Sequence, residues 1–280
     1  MWKRFKCWQL LLVLLVLVLT LAISGCGKEP ASVDKQSIKE FDISVYQNND
    51  FLITSQQLHS MLDSENLVLL DCNNPSIYAK EHIPGAIGIG LQGFCDIVGK
   101  PGDSGWGTIK DKEDLQKTLA SLGIDREKTV VFYSDLTAGP GADGRAVWQL
   151  KMAGMDNVKM LVGGTTSWKE LGYPTTKEVT QPKPVSGVVL QDYDQRYLAT
   201  KDYVFDNLGK QVIIDCRTEG EYQGSQKAGE PRGGHIKGAV HLEWKDLLNQ
   251  DAGYTFKSPE EIKTLMASID VQPEDDFIVY

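Results

Sequence analysis

The chain has 280 residues and a formal net charge of −9, with 24% charged and 41% hydrophobic residues. The acidic balance argues against a nucleic-acid partner, and the apolar content suits folded cores rather than a disordered chain. Five Cys occur with no CxxC pair, and the four His form no HExxH-type ligand pair, so neither a metal site nor a cofactor is read.

The chain opens on a processing segment. Lys3, Arg4 and Lys6 form a basic flank, and Leu10 to Ile23 is an apolar run of 14 residues. A membrane span needs about 20 residues, so the run suits an export signal instead. It ends in Ile23-Ser24-Gly25-Cys26, which resembles the bacterial lipobox, with Cys26 as the expected lipid attachment site. The expectation is a signal peptide over 1–25 and an extracytoplasmic lipoprotein held to the membrane by its acyl chains. Residues 26–50 are polar with little periodicity and read as a tether, with a reach of roughly 25–30 Å as a flexible coil. Removing residues 1–25 takes away three basic residues and no acidic one, leaving a still more acidic body.

An internal repeat follows. Copy one runs Leu67-Val68-Leu69-Leu70-Asp71-Cys72-Asn73, then Ile77-Tyr78, then Glu81-His82-Ile83-Pro84-Gly85-Ala86-Ile87. Copy two runs Val212-Ile213-Ile214-Asp215-Cys216-Arg217, then Glu221-Tyr222, then Gly234-His235-Ile236-Lys237-Gly238-Ala239-Val240. Each apolar run ending in Asp reads as a buried parallel strand, and each His-Ile-x-Gly-Ala as a turn into a second short strand. Glu113 to Leu122 and Pro259 to Ile269 carry helical apolar spacing, each ahead of a further strand: Thr129 to Tyr133, and Phe277 to Tyr280. Strands alternating with helices imply parallel sheets covered on both faces. The boundaries are domain 1 over 51–178, a linker over 179–194 and domain 2 over 195–280.

These motifs resemble the rhodanese family, in particular its tandem two-domain sulfurtransferases, and Val162-Gly163-Gly164-x-x-x-Trp168 looks like that family's closing turn. The resemblance implies two α/β domains and a sheet order of 1-5-4-2-3. It also implies transfer of sulfane sulfur from thiosulfate or a mercapto acid to a thiol or cyanide acceptor through a Cys persulfide. The partners are then a small sulfur-donor anion and a thiol acceptor. In this family the nucleophilic Cys directly follows the fourth strand of the catalytic, usually second, domain. Copy one has Ser134 there, with no adjacent base evident, and Asp135 and Arg145 are read as ordering the loop. Copy two ends at Tyr280, so the nucleophile is expected just after it, the second domain is read as incomplete, and no catalytic residue is assigned within the 280.

Arg217 and Arg232 are the substrate-proximal candidates, structural pairing being the competing role for each. Cys72 and Cys216, at one repeat position, read as packing residues, and Cys95 as the more exposed thiol. His82 and His235 read as hydrogen-bonded turn residues. Glu221 stands where some thiosulfate-type relatives carry Arg, which leaves the donor open. The alternative function is a non-catalytic rhodanese-like lipoprotein that binds a partner or small anion.

Overall fold

A computed structural model of the chain describes residues 41–280; the expected signal segment, Cys26 and residues 26–40 of the expected tether lie outside the described residues. In the first repeat, strands form at Leu52–Ile53 (β1), Leu67–Asp71 (β2), Ile87–Gly88 (β3), Cys95–Ile97 (β4), Trp106–Ile109 (β5), Thr129–Tyr133 (β6) and Val158–Leu161 (β7). Five of them make one parallel sheet in the order β1-β7-β6-β2-β3, while β4 and β5 pair antiparallel as a separate ladder. In repeat terms this is the 1-5-4-2-3 order that the resemblance implies.

The helices of this half are Ser55–Met61 (α1), Pro75–Tyr78 (α2), Lys112–Ser121 (α3), Ala142–Met152 (α4) and Gly164–Glu170 (α5). Local chemistry sets their starts. Thr54 and Gln57 form a reciprocal capping box on α1, and the Asp111 carboxylate accepts from Asp114 N–H at 2.8 Å on α3. Alternation along the strands then sorts the two faces. Val68, Leu70, Val130 and Phe132 pack against Leu115 and Leu119 of α3 and Leu150 of α4. Leu69, Val131 and Tyr133 face the other way, onto Leu58 of α1 and Trp168 of α5. Helices on both faces leave the strands no polar side, which is why they read as unbroken apolar runs.

The second repeat reuses the plan with less cover. Lys201–Asp206 (α6), Val212–Asp215 (β8), Glu219–Tyr222 (α7), Val240–His241 (β9), Leu248–Asn249 (β10), Thr255–Phe256 (β11), Pro259–Ser268 (α8) and Phe277–Val279 (β12) follow in order. The parallel sheet is β12-β8-β9, with Ile213 and Ile278 facing Val204 of α6, and Val212 and Ile214 facing Leu265 and Met266 of α8. Among the described residues no strand pairs with the outer edge of β12, where Phe277 and Val279 are exposed. The chain is thus an α/β protein with two repeated parallel-sheet units, both within one compact body, Glu40–Tyr280.

Two boundaries shift. The tether expected over 26–50 is fixed to the body from residue 41 onward: Tyr46 Oη donates to Lys257 O at 2.6 Å, and Asp50 pairs with Lys151 Nζ at 2.6 Å. The segment 179–194 is a strap rather than a free spacer. Val188 and Leu190 enter the α3–α4 side of the first core, and Tyr193 Oη donates to Lys110 O at 2.7 Å.

The two halves touch through loops. Gly102, at the tip of the β4–β5 hairpin, lies so close to the Gly229 carbonyl that any side chain there would collide with it. Lys245 Nζ donates to Thr137 O at 3.4 Å, and the Trp244 indole faces Gly141. No helix among the described residues is long and apolar enough to cross a membrane.

Leu70→Ala, at a fully buried site, is expected to cost about 2–5 kcal/mol in urea unfolding. Phe277→Ala, with the ring half exposed, should stay within about 0.5 kcal/mol of the parent. Equal losses in both variants would mean that the β12 edge is covered in solution.

Candidate functional site

In parallel α/β sheets ligands bind outside the carboxyl ends of the strands, and both repeats build the same polar knot there. In the first, Ile83 N–H donates to Tyr133 Oη at 3.1 Å, Asn73 N–H to Asp71 at 2.7 Å, and Tyr78 Oη to Ala86 O at 2.9 Å. In the second, Ile236 N–H donates to Tyr280 Oη at 2.9 Å, Arg217 N–H to Asp215 at 3.0 Å, and Tyr222 Oη to Ala239 O at 3.1 Å. His82 and His235 stack on Tyr78 and Tyr222 with centroids 3.8 and 3.9 Å apart. Each places Nδ1 on that tyrosine's carbonyl, at 2.7 and 2.8 Å. Held this way, both are turn-forming residues.

The two knots differ in charge. Burial raises the Asp71 carboxyl, and hydrogen bonds from Tyr133 and Asn73 only partly offset it. Burial also pushes Asp215 upward, but Arg217, its backbone N–H and Tyr280 reverse the balance and hold that carboxyl below its ordinary value. Arg217 reaches Asp215 through Nε at 3.0 Å and Nη2 at 2.6 Å, and Nη2 also donates to Gly234 O at 2.9 Å. Its Nη1 lies 3.8 Å from Glu230, and its guanidinium 5.4 Å from the Tyr280 ring centre. Arg217 therefore stands at the mouth of the second sheet with most donors engaged and Nη1 held least. Arg232 is exposed on the following loop and makes no hydrogen bond or ion pair among the described residues. Arg217 touches residues on both sides of Arg232, Glu230 and Gly234.

The loop after β6 is ordered by its own residues. Asp135 N–H donates to the Asn73 amide oxygen at 2.6 Å, Thr137 N–H to the Asp135 carboxylate at 2.9 Å, and Arg145 to Gly107 O. Ser134 is fully buried, and its carbonyl sits against Gly164, where a β-carbon would not fit. Sequence reading found no base beside Ser134, but helix α4 folds the Asp143 carboxylate against its hydroxyl. The geometry is loose: neither Asp143 oxygen nor Ser134 Oγ makes a hydrogen bond of ordinary geometry. Burial raises the Asp143 carboxyl, and both groups are closed to solvent. The spacing of nine residues gave no sign of the contact, because a loop and a helix turn lie between them.

Two of the three thiols, Cys72 and Cys95, are equally closed, and Cys216 is half-buried. Cys95, read as the more exposed one, is buried because its strand turns it inward beside Phe94. Burial, then Asp143 and Asp71, push the Cys72 thiol well up, and burial with Asp215 puts Cys216 at about 11. Burial thus disfavours the thiolate form, the nucleophilic one, at all three. Among the described residues no group of His, Cys, Asp or Glu could hold a metal.

Two copies of one parallel unit, each with its polar knot at the strand ends, make this a tandem-repeat α/β protein. The Rhodanese-like domain profile matches residues 54–171 and 200–280. Sulfur carrier protein TtuD of Thermus thermophilus is 30% identical over 253 residues, covering 84% of this chain and 83% of that protein. A thiosulfate sulfurtransferase of Azotobacter vinelandii is 28% identical over 235 residues, covering 82% and 81%. The chain belongs to the rhodanese family, as a tandem sulfurtransferase-like member. Solved structures agree on the fold. The 3-mercaptopyruvate sulfurtransferase SseA of Escherichia coli matches with TM-score 0.64 and 18% identity, over 82% of this chain and 87% of that one. The anaerobic ergothioneine biosynthesis enzyme of Chlorobium limicola matches with TM-score 0.68 and 18% identity, over 84% of this chain but only 61% of that one.

Arg217→Ala leaves the buried Asp215 carboxylate without its partner and is expected to cost about 3 kcal/mol at pH 7. The folded Asp215 value lies below the unfolded value of about 4. Its stabilisation is therefore complete above pH 4 and lost as pH falls through the folded value. Urea unfolding at pH 7 and pH 3 should show the deficit shrinking on acidification; a deficit unchanged between the two would refute the assignment.

Proposed function

We propose that this protein is the body of a membrane-anchored, extracytoplasmic sulfurtransferase. The observation that carries the reading is the second knot: β12 delivers Tyr280 to the place that Tyr133 holds in the first repeat, beside Asp215 and Arg217 at the mouth of the sheet. A Cys following Tyr280 would stand at that mouth, where backbone N–H groups of a loop stabilise an anion. Its thiolate would attack the outer sulfur of a donor such as thiosulfate, forming Cys–S–S⁻ and releasing sulfite. A thiol or cyanide would then remove the outer sulfur and regenerate the thiolate. The relatives' names, thiosulfate and 3-mercaptopyruvate sulfurtransferase, support this donor class.

Glu221 bears on the choice of donor. Its carboxylate accepts from Thr218 Oγ1 at 2.9 Å and closes a capping box on α7. At this position, then, the chain presents a capping carboxylate rather than a cation for a dianion, which favours a mercapto acid over thiosulfate. The first domain, with Ser134 sealed in its loop, serves as scaffold. The lipobox-like Ile23-Ser24-Gly25-Cys26 supports attachment at Cys26.

Purified residues 27–280, whose described thiols are all buried or protonated, should give no thiocyanate from cyanide with either donor. Thiocyanate formation by that protein would place the nucleophile among those thiols. The reading itself is tested on the gene's complete reading frame: a Cys next to Tyr280 that mass spectrometry finds persulfidated after donor treatment supports it. Any other residue there, or a stop, overturns it in favour of a non-catalytic binding protein. For the anchor, Cys26→Ser should abolish incorporation of labelled palmitate and move the protein out of the membrane fraction. Unchanged labelling would remove Cys26 as the attachment site.

A further inference from the structure

The loop between α7 and β9 joins the mouth of the second sheet to the first domain. Its ends meet: Gly224 and Gly233 lie so close that a β-carbon on either would press into the other's backbone. Between these ends residues 225–229 and 231–233 are exposed, and Glu230 alone is turned part-way inward. At the tip, Gly229 rests on Pro101 and Gly102 of the β4–β5 hairpin, backbone against backbone. Both glycines have positive φ, +126° at Gly229 and +93° at Gly102, and neither position has room for a side chain.

Glu230 faces Arg217 without bonding to it. Its Oε2 accepts from the Ala228 N–H at 2.8 Å, inside the loop, while Oε1 lies 3.8 Å from Arg217 Nη1 and has no hydrogen-bond partner. The other nitrogens of Arg217 are committed: Nε and Nη2 to Asp215, and Nη2 also to the Gly234 carbonyl at the base of the loop. The guanidinium is thus fixed on one edge and presents Nη1 on the other. We propose that Glu230 is an internal gate: its carboxylate stands over the open edge of Arg217, and the anionic end of a sulfur donor displaces it to reach Nη1. The inference rests on the reading that the second mouth takes an anionic donor.

The exchange is favourable on both sides. At 3.8 Å Glu230 makes no hydrogen bond to Arg217, so little is lost when it leaves, and its carboxylate returns to water as the exposed loop swings out. An oxyanion at Nη1 gains the charge-assisted hydrogen bond that Glu230 does not make. Both side chains are about a quarter exposed, 26% for Arg217 and 28% for Glu230, so a small solute can reach the pair from solvent. The hairpin sets the resting position of the gate. Gly229 directly precedes Glu230, and its contact with Pro101 and Gly102 fixes how near the carboxylate stands to Arg217. The first domain thereby controls access to the mouth of the second without touching the ligand.

The ¹⁵N-labelled full chain is titrated with sulfate, which carries no transferable sulfur, at constant ionic strength. Binding is followed at the amides of residues 215–217 and 228–235. The expected result is one saturable site whose affinity rises about two- to fivefold in Glu230→Gln, the worth of one partly exposed ion pair. Glu274→Gln removes the same charge ahead of β12, at the end of that strand away from Tyr280, and should leave the affinity at the parent's value. Arg217→Lys keeps a cation on Asp215 but has no second nitrogen to present, so adding Glu230→Gln to it should bring no gain. Gly102→Ala pushes the hairpin tip off Gly229 and should reproduce part of the gain; Gly229→Ala serves if that variant does not fold. No sulfate binding, equal affinity in the parent and Glu230→Gln, an equal gain in Glu274→Gln, or a gain retained on Arg217→Lys overturns the gate. An unchanged affinity in the glycine variant overturns the hairpin's part in it. The sulfurtransferase reading fails separately, since a residue other than Cys after Tyr280 leaves these affinities as they are.

Discussion

Everything at the strand ends hangs on one buried contact made twice: a strand-terminal aspartate against the hydroxyl of a tyrosine that ends the neighbouring strand. Asp71 meets Tyr133, and Asp215 meets Tyr280. Each tyrosine also takes the N–H of the isoleucine in the His-Ile turn, so a single hydroxyl ties two central strands to the segment that enters the third. A buried carboxylate is costly unless it is hydrogen-bonded or paired. That cost is why the residues around it, Asn73 in one copy and Arg217 in the other, are drawn into fixed positions.

The substitution of Asn73 by Arg217 at equivalent positions gives the two knots different chemistry. With Asn73, the first knot carries no guanidinium and closes inward, its amide oxygen taking the N–H of Asp135 and pinning the loop beyond β6. With Arg217, the second knot carries a guanidinium that leans over Tyr280 and reaches toward Glu230. The same backbone geometry thus presents a sealed loop in one half and a cation at the sheet mouth in the other.

Most of the fold could be read from the chain because its cues are local and repeated. Leu67 to Asp71 and Val212 to Asp215 are runs too short for helices and too apolar for surface strands. The helices that begin at Lys112 and Pro259 were legible, to within a residue, in the apolar spacing of Glu113 to Leu122 and Pro259 to Ile269. The misreadings came from contacts between distant segments. Nothing near Tyr46 announces a hydrogen bond to Lys257, and nothing near Cys95 announces that it shares a cavity with Cys72. Asp143 beside Ser134 belongs to the same class: two polar residues brought together only when α4 packs under its preceding loop. Where Arg217 points was likewise beyond the chain's pattern, since the partners that engage it include the carbonyl of Gly234 and the carboxylate of Glu230.

The strap that carries Val188 and Leu190 has a consequence for the order in which the molecule is assembled. These residues close the α3–α4 side of the first core although they lie beyond the last helix of the first repeat. As the chain leaves a ribosome, the first repeat can form its sheet but stays open along one flank until Tyr193 has emerged. The start of the second repeat thus appears beside an unfinished neighbour. A boundary drawn by repeat similarity would cut the polypeptide where its first folding unit is still missing a wall.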